Sequence, residues 1–188
     1  MKQTISTRRI AMAGVLAALT VVGSWIRIKI PVDIGGSTAF HLGNIMCALS
    51  GILLGPWLGG TAAGLGSALY DILLDPAYFD EAWLTFLMKG AYGVATGLMI
   101  RLGSKDWGYV RATIATVAGA VTYAVLYLAK SFFKAIIVSG VTADAALIAL
   151  GLKIPATVFN AAVAIVFAPV LAVAVSKALK QNHISLDH

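Results

Sequence analysis

Cysteine and acid are scarce in this chain of 188 residues, which holds one cysteine, Cys47, and eight Asp and Glu side chains. A lone cysteine excludes a disulfide framework and a cysteine metal site, leaving Cys47 as a small hydrophobe inside an apolar run. Charge of either sign is thin, 12% of residues against 60% hydrophobic, with a mean hydropathy of +0.90. That balance excludes an ordinary soluble domain. Also missing are a Gly-x4-Gly-Lys-Ser/Thr phosphate loop, a His-Glu-x2-His helix and a pair of intramembrane carboxylates. Nothing therefore supplies a nucleotide site, a metal site, a nucleophile or a general acid and base. No cofactor or metal is expected, and without a basic domain nucleic acid is not an expected partner.

What is present is a series of long apolar runs. At roughly 20 residues per span the length suits an all-α integral membrane protein, a bundle of six transmembrane helices forming a single domain over residues 1–188. The basic head Met1 to Arg9 precedes helix 1, Ile10 to Ile26; a signal peptide also starts this way, but the run reaches Arg27 without a small-x-small cleavage site. Ala13, Gly14, Ala17 and Ala18 form two interleaved pairs four apart, which flatten a face for close helix approach. Arg27 to Thr38 reads as a loop, broken by Pro31, Asp33, Gly35 and Gly36. Helix 2 is expected over Ala39 to Leu54, a tight turn over Gly55 to Gly60, and helix 3 over Thr61 to Leu74, with Gly60, Gly64 and Ala68 packing on a neighbour. An acidic and aromatic loop from Asp75 to Trp83 follows, suited to the membrane interface. Helix 4 is expected over Leu84 to Leu102, a polar turn over Gly103 to Arg111 and helix 5 over Ala112 to Val138. Gly140 to Lys153 is too short to span and reads as a helical turn or two at the surface. Helix 6 starts near Pro155, a residue favoured in a first turn, runs to Leu179 and kinks at Pro169. Gln181 to His188 is a polar tail.

Polar residues inside these runs fall at helical offsets. Tyr123, Tyr127, Lys130 and Lys134 are spaced four, three and four and share a face of helix 5. A charged side chain at bilayer depth costs a few kcal/mol unless it is paired or wet, so this face either lines a cavity or carries lysines that snorkel to the interface. Helix 4 repeats the pattern with Thr85, Lys89, Tyr92 and Thr96. Lys89 lies well inside an apolar segment, which marks it as functional unless an ion pair with Asp71 or a loop carboxylate accounts for it. Lys153, Thr157 and Asn160 follow the same spacing. Burying the Asn160 amide unpaired would cost about 1 to 3 kcal/mol, so it needs a protein or ligand partner.

With six spans both termini share a side, which holds Lys2, Arg8, Arg9, Arg101, Lys105, Arg111, Lys177 and Lys180, against Arg27, Lys29, Lys130, Lys134 and Lys153 opposite. The richer side is cytoplasmic by the positive-inside rule, and its excess of cations suits anionic lipid or an acidic partner. On the outer side the stripes of helices 4, 5 and 6 meet His41 and Asn44 under two loops. The result is a closable outward pocket for a small flat heterocycle or a small anion.

Three runs then resemble a known family: Ser37-Thr-Ala-Phe-His-Leu-Gly-Asn44, Gly55-Pro-Trp-Leu-Gly-Gly60 with Gly64-Leu-Gly-Ser-Ala-Leu-Tyr-Asp71, and Leu84-Thr-Phe-Leu-Met-Lys-Gly-Ala-Tyr-Gly93. Their order over nearly the whole chain is similar to the substrate-binding S component of energy-coupling factor (ECF) vitamin transporters, most of all the hydroxymethylpyrimidine or pyridoxine group. The resemblance implies a vitamin-binding subunit in a prokaryotic cell membrane, not an enzyme. It implies as partners a transmembrane coupling (T) protein and two cytoplasmic ATPases. Its small-x3-small docking motif on helix 1 matches Ala13 and Ala17, with Gly14 and Ala18 the adjacent register. The bundle is thought to topple in such transporters, carrying the pocket across. An S component for another vitamin such as pantothenate, a self-sufficient small-solute carrier and a membrane enzyme are the alternatives. The substrate-binding residues expected are His41, Asn44, Trp83, Thr85, Lys89, Tyr92, Tyr123, Tyr127, Lys130, Lys134, Thr157 and Asn160, inferred from helical phase. Trp83 is expected on the lid.

Overall fold

A computed structural model describes residues 6–32, 37–102 and 107–183. Among them are six helices: α1 Thr7–Trp25, α2 Gly43–Leu54, α3 Pro56–Leu74, α4 Ala82–Arg101, α5 Tyr109–Ile137 and α6 Ala143–Gln181. Four stretches, Thr7–Trp25, Pro76–Arg101, Tyr109–Ile137 and Ala143–Gln181, are long and apolar enough to cross a membrane. Their outward faces carry exposed apolar side chains such as Val121, Val125, Phe133, Val158 and Phe167. That surface belongs in lipid, where helices satisfy their own backbone. The 12 residues of α2 rise only about 18 Å. It is the buried axis of the bundle, in contact with each of the other five helices.

Small residues let the inner helices touch through backbone. A side chain at Gly93 would meet the Gly60 Cα at 2.8 Å, and one at Gly60 would meet the Gly90 carbonyl at 2.9 Å. The expected packing of Gly60 and Gly64 is thus onto α4, where Gly90 offers no side chain. Gly55, at φ +79°, makes the link between α2 and α3, and the Arg101 guanidinium occupies the space a Cβ would need.

The helices alternate in direction, so the starts of α1, α3 and α5 gather at one end with the finishes of α2, α4 and α6. A core cluster there joins Met12, Leu54, Ile100, Ala112 and Val175. Arg9 donates to the Leu54 carbonyl at 2.7 Å, holding the start of α1 on the C-terminal end of α2.

Several expected boundaries shift. Arg27 to Thr38 is not simply a loop: β1 Arg27–Ile30 pairs antiparallel with β2 Thr38–His41, Arg27 opposite His41 and Ile30 opposite Thr38. Helix 2 accordingly begins at Gly43, because β2 claims Ala39 to His41 for the hairpin. The turn before helix 3 shrinks to Gly55, since Pro56 opens α3 without needing its missing N–H. The loop after α3 contains a 3-10 turn, Pro76–Glu81, and Trp83 already lies within α4. The segment before Pro155 is no separate surface turn but the start of α6, capped by the Thr142 hydroxyl on the Ala145 N–H with Asp144 in the first turn. Pro155 and Pro169 sit inside that helix, tolerated where neighbouring helices cover the freed carbonyls. Gly35, Lys105, Asp106 and most of the polar tail lie outside the described residues.

Candidate functional site

At the end opposite the Arg9–Leu54 contact, the last turn of α1, α3 to α6, the 3-10 turn and the hairpin line a half-open cavity of about 100 Å³. The alternation Arg27-Ile28-Lys29-Ile30 puts both cations on one face of β1. There they hold the two oxygens of buried Asp75, Arg27 at 2.9 Å and Lys29 at 2.8 Å. Arg27 also lies 3.9 Å over the Tyr70 ring and donates to the Ser24 carbonyl at 2.7 Å. The hairpin is thereby fastened to α1 and α3.

Asn160 of α6 fastens its other strand. The amide oxygen accepts the His41 N–H at 2.9 Å and the amide nitrogen donates to the Ala39 carbonyl at 2.8 Å. It acts as a third strand, one residue long, on the free edge of β2. Phe40 and Phe159 meet edge to face at 4.9 Å beside it. The Tyr127 hydroxyl reaches Thr38 at 3.3 Å, and the hydroxyls of Ser37 and Tyr78 hydrogen-bond each other.

Beneath the hairpin the floor is aromatic. Tyr92, Tyr123 and Tyr127 form a ladder with centroid spacings of 6.1 and 5.8 Å and near-parallel planes. Lys89 donates to the Asn44 amide oxygen and sits 3.8 Å above the Tyr123 ring. Among the described residues no ion pair joins Lys89 to Asp71, and the other expected partner, a loop carboxylate, falls partly on residues outside them, Asp33 included. Asp71 and Thr85 both line the cavity beside Lys89. On the α5 side, Glu81 lies between Lys130 and Lys134 and bonds both. Those lysines are therefore held in the cavity wall rather than snorkelling outward.

His41, in β2 rather than a spanning helix, has its imidazole pushed well below the usual 6.5, first by burial and then by the charges of Lys89 and Arg27. Its Nδ1 accepts the Gly43 N–H at 3.2 Å, which leaves Nε2–H as the donor of a neutral ring.

Nine of the twelve residues expected at the pocket line this one cavity: His41, Thr85, Lys89, Tyr123, Tyr127, Lys130, Lys134, Thr157 and Asn160. Asn44 and Tyr92 stand one layer behind, Asn44 on Lys89 and Tyr92 against Tyr123. The Tyr92 hydroxyl is buried without a hydrogen-bond partner among the described residues. Trp83 does not line the cavity: it is 62% exposed, turned out on the first turn of α4. The hairpin contributes lining residues instead, Arg27, Thr38, Ala39 and His41. Arg27, Tyr70, Asp71, Glu81 and Lys153 also line the cavity. Arg27 was read as the start of a loop, although the alternation Arg-Ile-Lys-Ile was the signal that could have found it, whereas the four-and-three spacing had already placed Lys153 on the stripe of Thr157 and Asn160. Ser24 and Ser67 left no signal, being small hydroxyls on otherwise apolar helices.

On α1 the two small-residue registers part. Ala17 is buried, its carbonyl against Gly66 of α3, and Ala13 packs partly on the core. Gly14 and Ala18 are exposed, with nothing near Gly14.

Fold and cavity together define an all-α membrane protein with a polar chamber set near one end of its bundle. The chain belongs to the S component family of ECF-type transporters: the family model described as "ECF-type riboflavin transporter, S component" matches residues 4–177. It is also 34% identical over 115 residues, 61% of this chain and 72% of the relative, to an uncharacterized protein of Pyrococcus woesei. A UPF0397 protein of Streptococcus gordonii is 30% identical over 96 residues, 51% of this chain and 48% of that relative, so the match spans about half of the latter's length. Membership makes this a membrane transport subunit and implies a vitamin ligand, a membrane T protein and ATPase partners. The hydroxymethylpyrimidine or pyridoxine subgroup is not established by the match.

Proposed function

We propose that the chain captures a single-ring heterocyclic vitamin or precursor, of the hydroxymethylpyrimidine or pyridoxine kind, outside a prokaryotic plasma membrane. Both termini lie in the cytoplasm, where a T protein driven by two ATPases takes over the loaded subunit. One observation carries the choice of ligand size. A chamber of about 100 Å³ is on the order of the ~150 Å³ cavity in which a benzene ring fits. Riboflavin, named in the matching family's description, is a three-ring system and would have to extend out of that space through its open side.

In this reading Tyr123 and Tyr127 stack on the ring, while Lys89, Thr157 and the His41 Nε2–H supply hydrogen bonds to its polar edge. Ligand contacts with Lys130, Lys134 and Thr85 would follow the same wall. The hairpin covers the ring, and Asn160 acts on the ligand through the hairpin rather than directly. Gly14 and Ala18 form the register that meets the T protein, since Ala17 is already used inside the bundle. The grouping of Arg8, Arg9, Arg101, Arg111, Lys177 and Lys180 at the opposite end supports the orientation.

Native mass spectrometry of protein purified without added vitamin tests this directly. The expected spectrum shows one retained small molecule, released on unfolding and carrying one aromatic ring. Retained riboflavin would overturn the size argument. A folded protein that neither retains nor binds any vitamin would overturn the function.

A further inference from the structure

The outward face of α5 and α6 carries its apolar stripe further along the bundle than the other helices do. Glu81, the residue before α4, bonds Lys130 and Lys134, so the start of α4 stands level with those turns of α5. On the α4 side the exposed Trp83 indole and the exposed Asp80 lie at that level, an aromatic and a charge of the kind that mark a membrane–water boundary. On the other side the chain goes on. The stretch of α6 from Ala143 to Leu152, about 15 Å of rise, lies beyond Lys153, whose ammonium reaches Ser131 at the same level of α5.

This tip is built rather than frayed. Gly140, at φ +65°, turns the chain, while the Val138 N–H donates to the Lys134 carbonyl at 2.9 Å and the Val141 N–H to the Ala135 carbonyl at 3.3 Å. Ala135, Ala146 and Ala149 are buried within it. Its outward side chains are apolar: Ile137 is 76% exposed and Ile148 70%, with Leu147 and Leu152 exposed beside them. The stripe runs on along α6 into Val158 and Phe167, a surface that already belongs in lipid. Residues 135–152 hold one charged side chain, Asp144, in the first turn of α6 with the exposed Ser139 and Thr142 next to it at the summit.

An exposed apolar surface of this extent marks contact with protein or with membrane. Continuity with the lipid-facing stripe, and a polar summit where headgroups would begin, favour membrane. Length agrees: the 39 residues of α6 rise about 58 Å, more than the ~40–45 Å of a bilayer with its headgroups, so its apolar course reaches through the interfacial layer.

We infer that lipid of the leaflet at the hairpin end covers the α5–α6 tip, with Ile137, Leu147, Ile148 and Leu152 among acyl chains and Thr142 and Asp144 at the headgroups. The lipid boundary then stands about 10 Å further out on the α5–α6 side of the chamber than at Trp83, and that wall is backed by lipid. This holds whichever face of the membrane the hairpin end occupies and whatever ligand the chamber takes.

Nitroxide labels on single cysteines test it, in the full chain carrying Cys47→Ala and reconstituted in phosphatidylcholine–phosphatidylglycerol vesicles. Collisions are compared between oxygen, which concentrates in lipid, and a water-soluble nickel chelate. Labels at Ile148→Cys and Leu152→Cys should collide more with oxygen, as one at Phe167→Cys does, whereas labels at Asp80→Cys and Asp144→Cys should collide more with nickel. Ile137→Cys, on the other limb of the tip, takes the place of an α6 variant that does not fold. Nickel preference at Ile148 and Leu152, with Phe167 still preferring oxygen, places the tip in water and overturns the inference. Shielding of Ile148 from both reagents, with dipolar broadening between labels, overturns it in favour of a second copy of the chain. Oxygen preference at Asp80 removes the step between the two sides and overturns it as well.

Discussion

The two ends of the bundle hold the same number of described basic residues and use them in opposite ways. At the hairpin end Arg27, Lys89, Lys130, Lys134 and Lys153 line the chamber and exposed Lys29 stands beside it, and Arg27, Lys29, Lys130 and Lys134 share two carboxylates, Asp75 and Glu81. At the other end Arg9 holds the Leu54 carbonyl and the Arg101 guanidinium lies against Gly55, with Arg8, Arg111, Lys177 and Lys180 on the same helix ends. Equal counts thus hide two functions. Cations that share carboxylates shape the chamber, while a basic set of helix ends suits anionic lipid or an acidic partner.

The scaffold beneath both ends gives the largest expected effect. Gly93→Val would drive a side chain into the backbone of Gly60. A loss of about 3 kcal/mol is expected, seen as a large fall in melting temperature or loss of the monodisperse peak in detergent. Asn160→Ala comes next, because it orphans the His41 N–H and the Ala39 carbonyl at the hairpin end alone. We expect about 2 kcal/mol lost and faster tryptic cleavage after Arg27 and Lys29, with the basic end unaffected.

Glu81→Gln sharpens the contrast further. It leaves Lys130 and Lys134 side by side, which should lower stability by about 1 kcal/mol, whereas Arg101→Gln at the basic end should leave ligand affinity unchanged. A thermal shift series on both variants checks this. The smallest effect is the pH response of His41. Its folded-state pKa lies below 6.5, so the unfolded chain binds the proton more readily and the contribution of His41 to stability is present above that value. Stability should therefore fall as pH drops below 6.5, by at most about 1.4 kcal/mol per pH unit. His41→Asn should flatten the part of the profile that this ring contributes.

How much of this was legible in the sequence divides along the same line. The helical stripes were readable because 3.6-residue phase and the cost of a charge in lipid act on the same residues: Lys89, Tyr123, Tyr127 and Asn160 could not face outward. The glycines of α3 announced close packing for a similar reason. The hairpin was missed because Pro31, Gly35 and Gly36 signal a break more loudly than four residues of Arg-Ile-Lys-Ile signal a strand. Pro155 misled in another way, since a first-turn proline and an internal one look alike until neighbouring helices are known. The cap signal at Thr142 and Asp144 was present and marked the true start of α6. Trp83 drew attention as an aromatic in an acidic loop, but α4 begins at Ala82, and helical phase then turns the indole outward. The choice between the Ala13/Ala17 and Gly14/Ala18 registers depended on where α3 lies, which one helix taken alone does not specify.

The most direct test of the account uses the vitamin recovered from the purified protein and titrates it calorimetrically into wild type, Lys89→Met and Arg101→Gln. The account predicts one-to-one binding to wild type, its loss by about tenfold or more in Lys89→Met, and no change in Arg101→Gln. Unchanged binding to a folded Lys89→Met variant, or loss confined to Arg101→Gln, would contradict the placement of the site at the hairpin end.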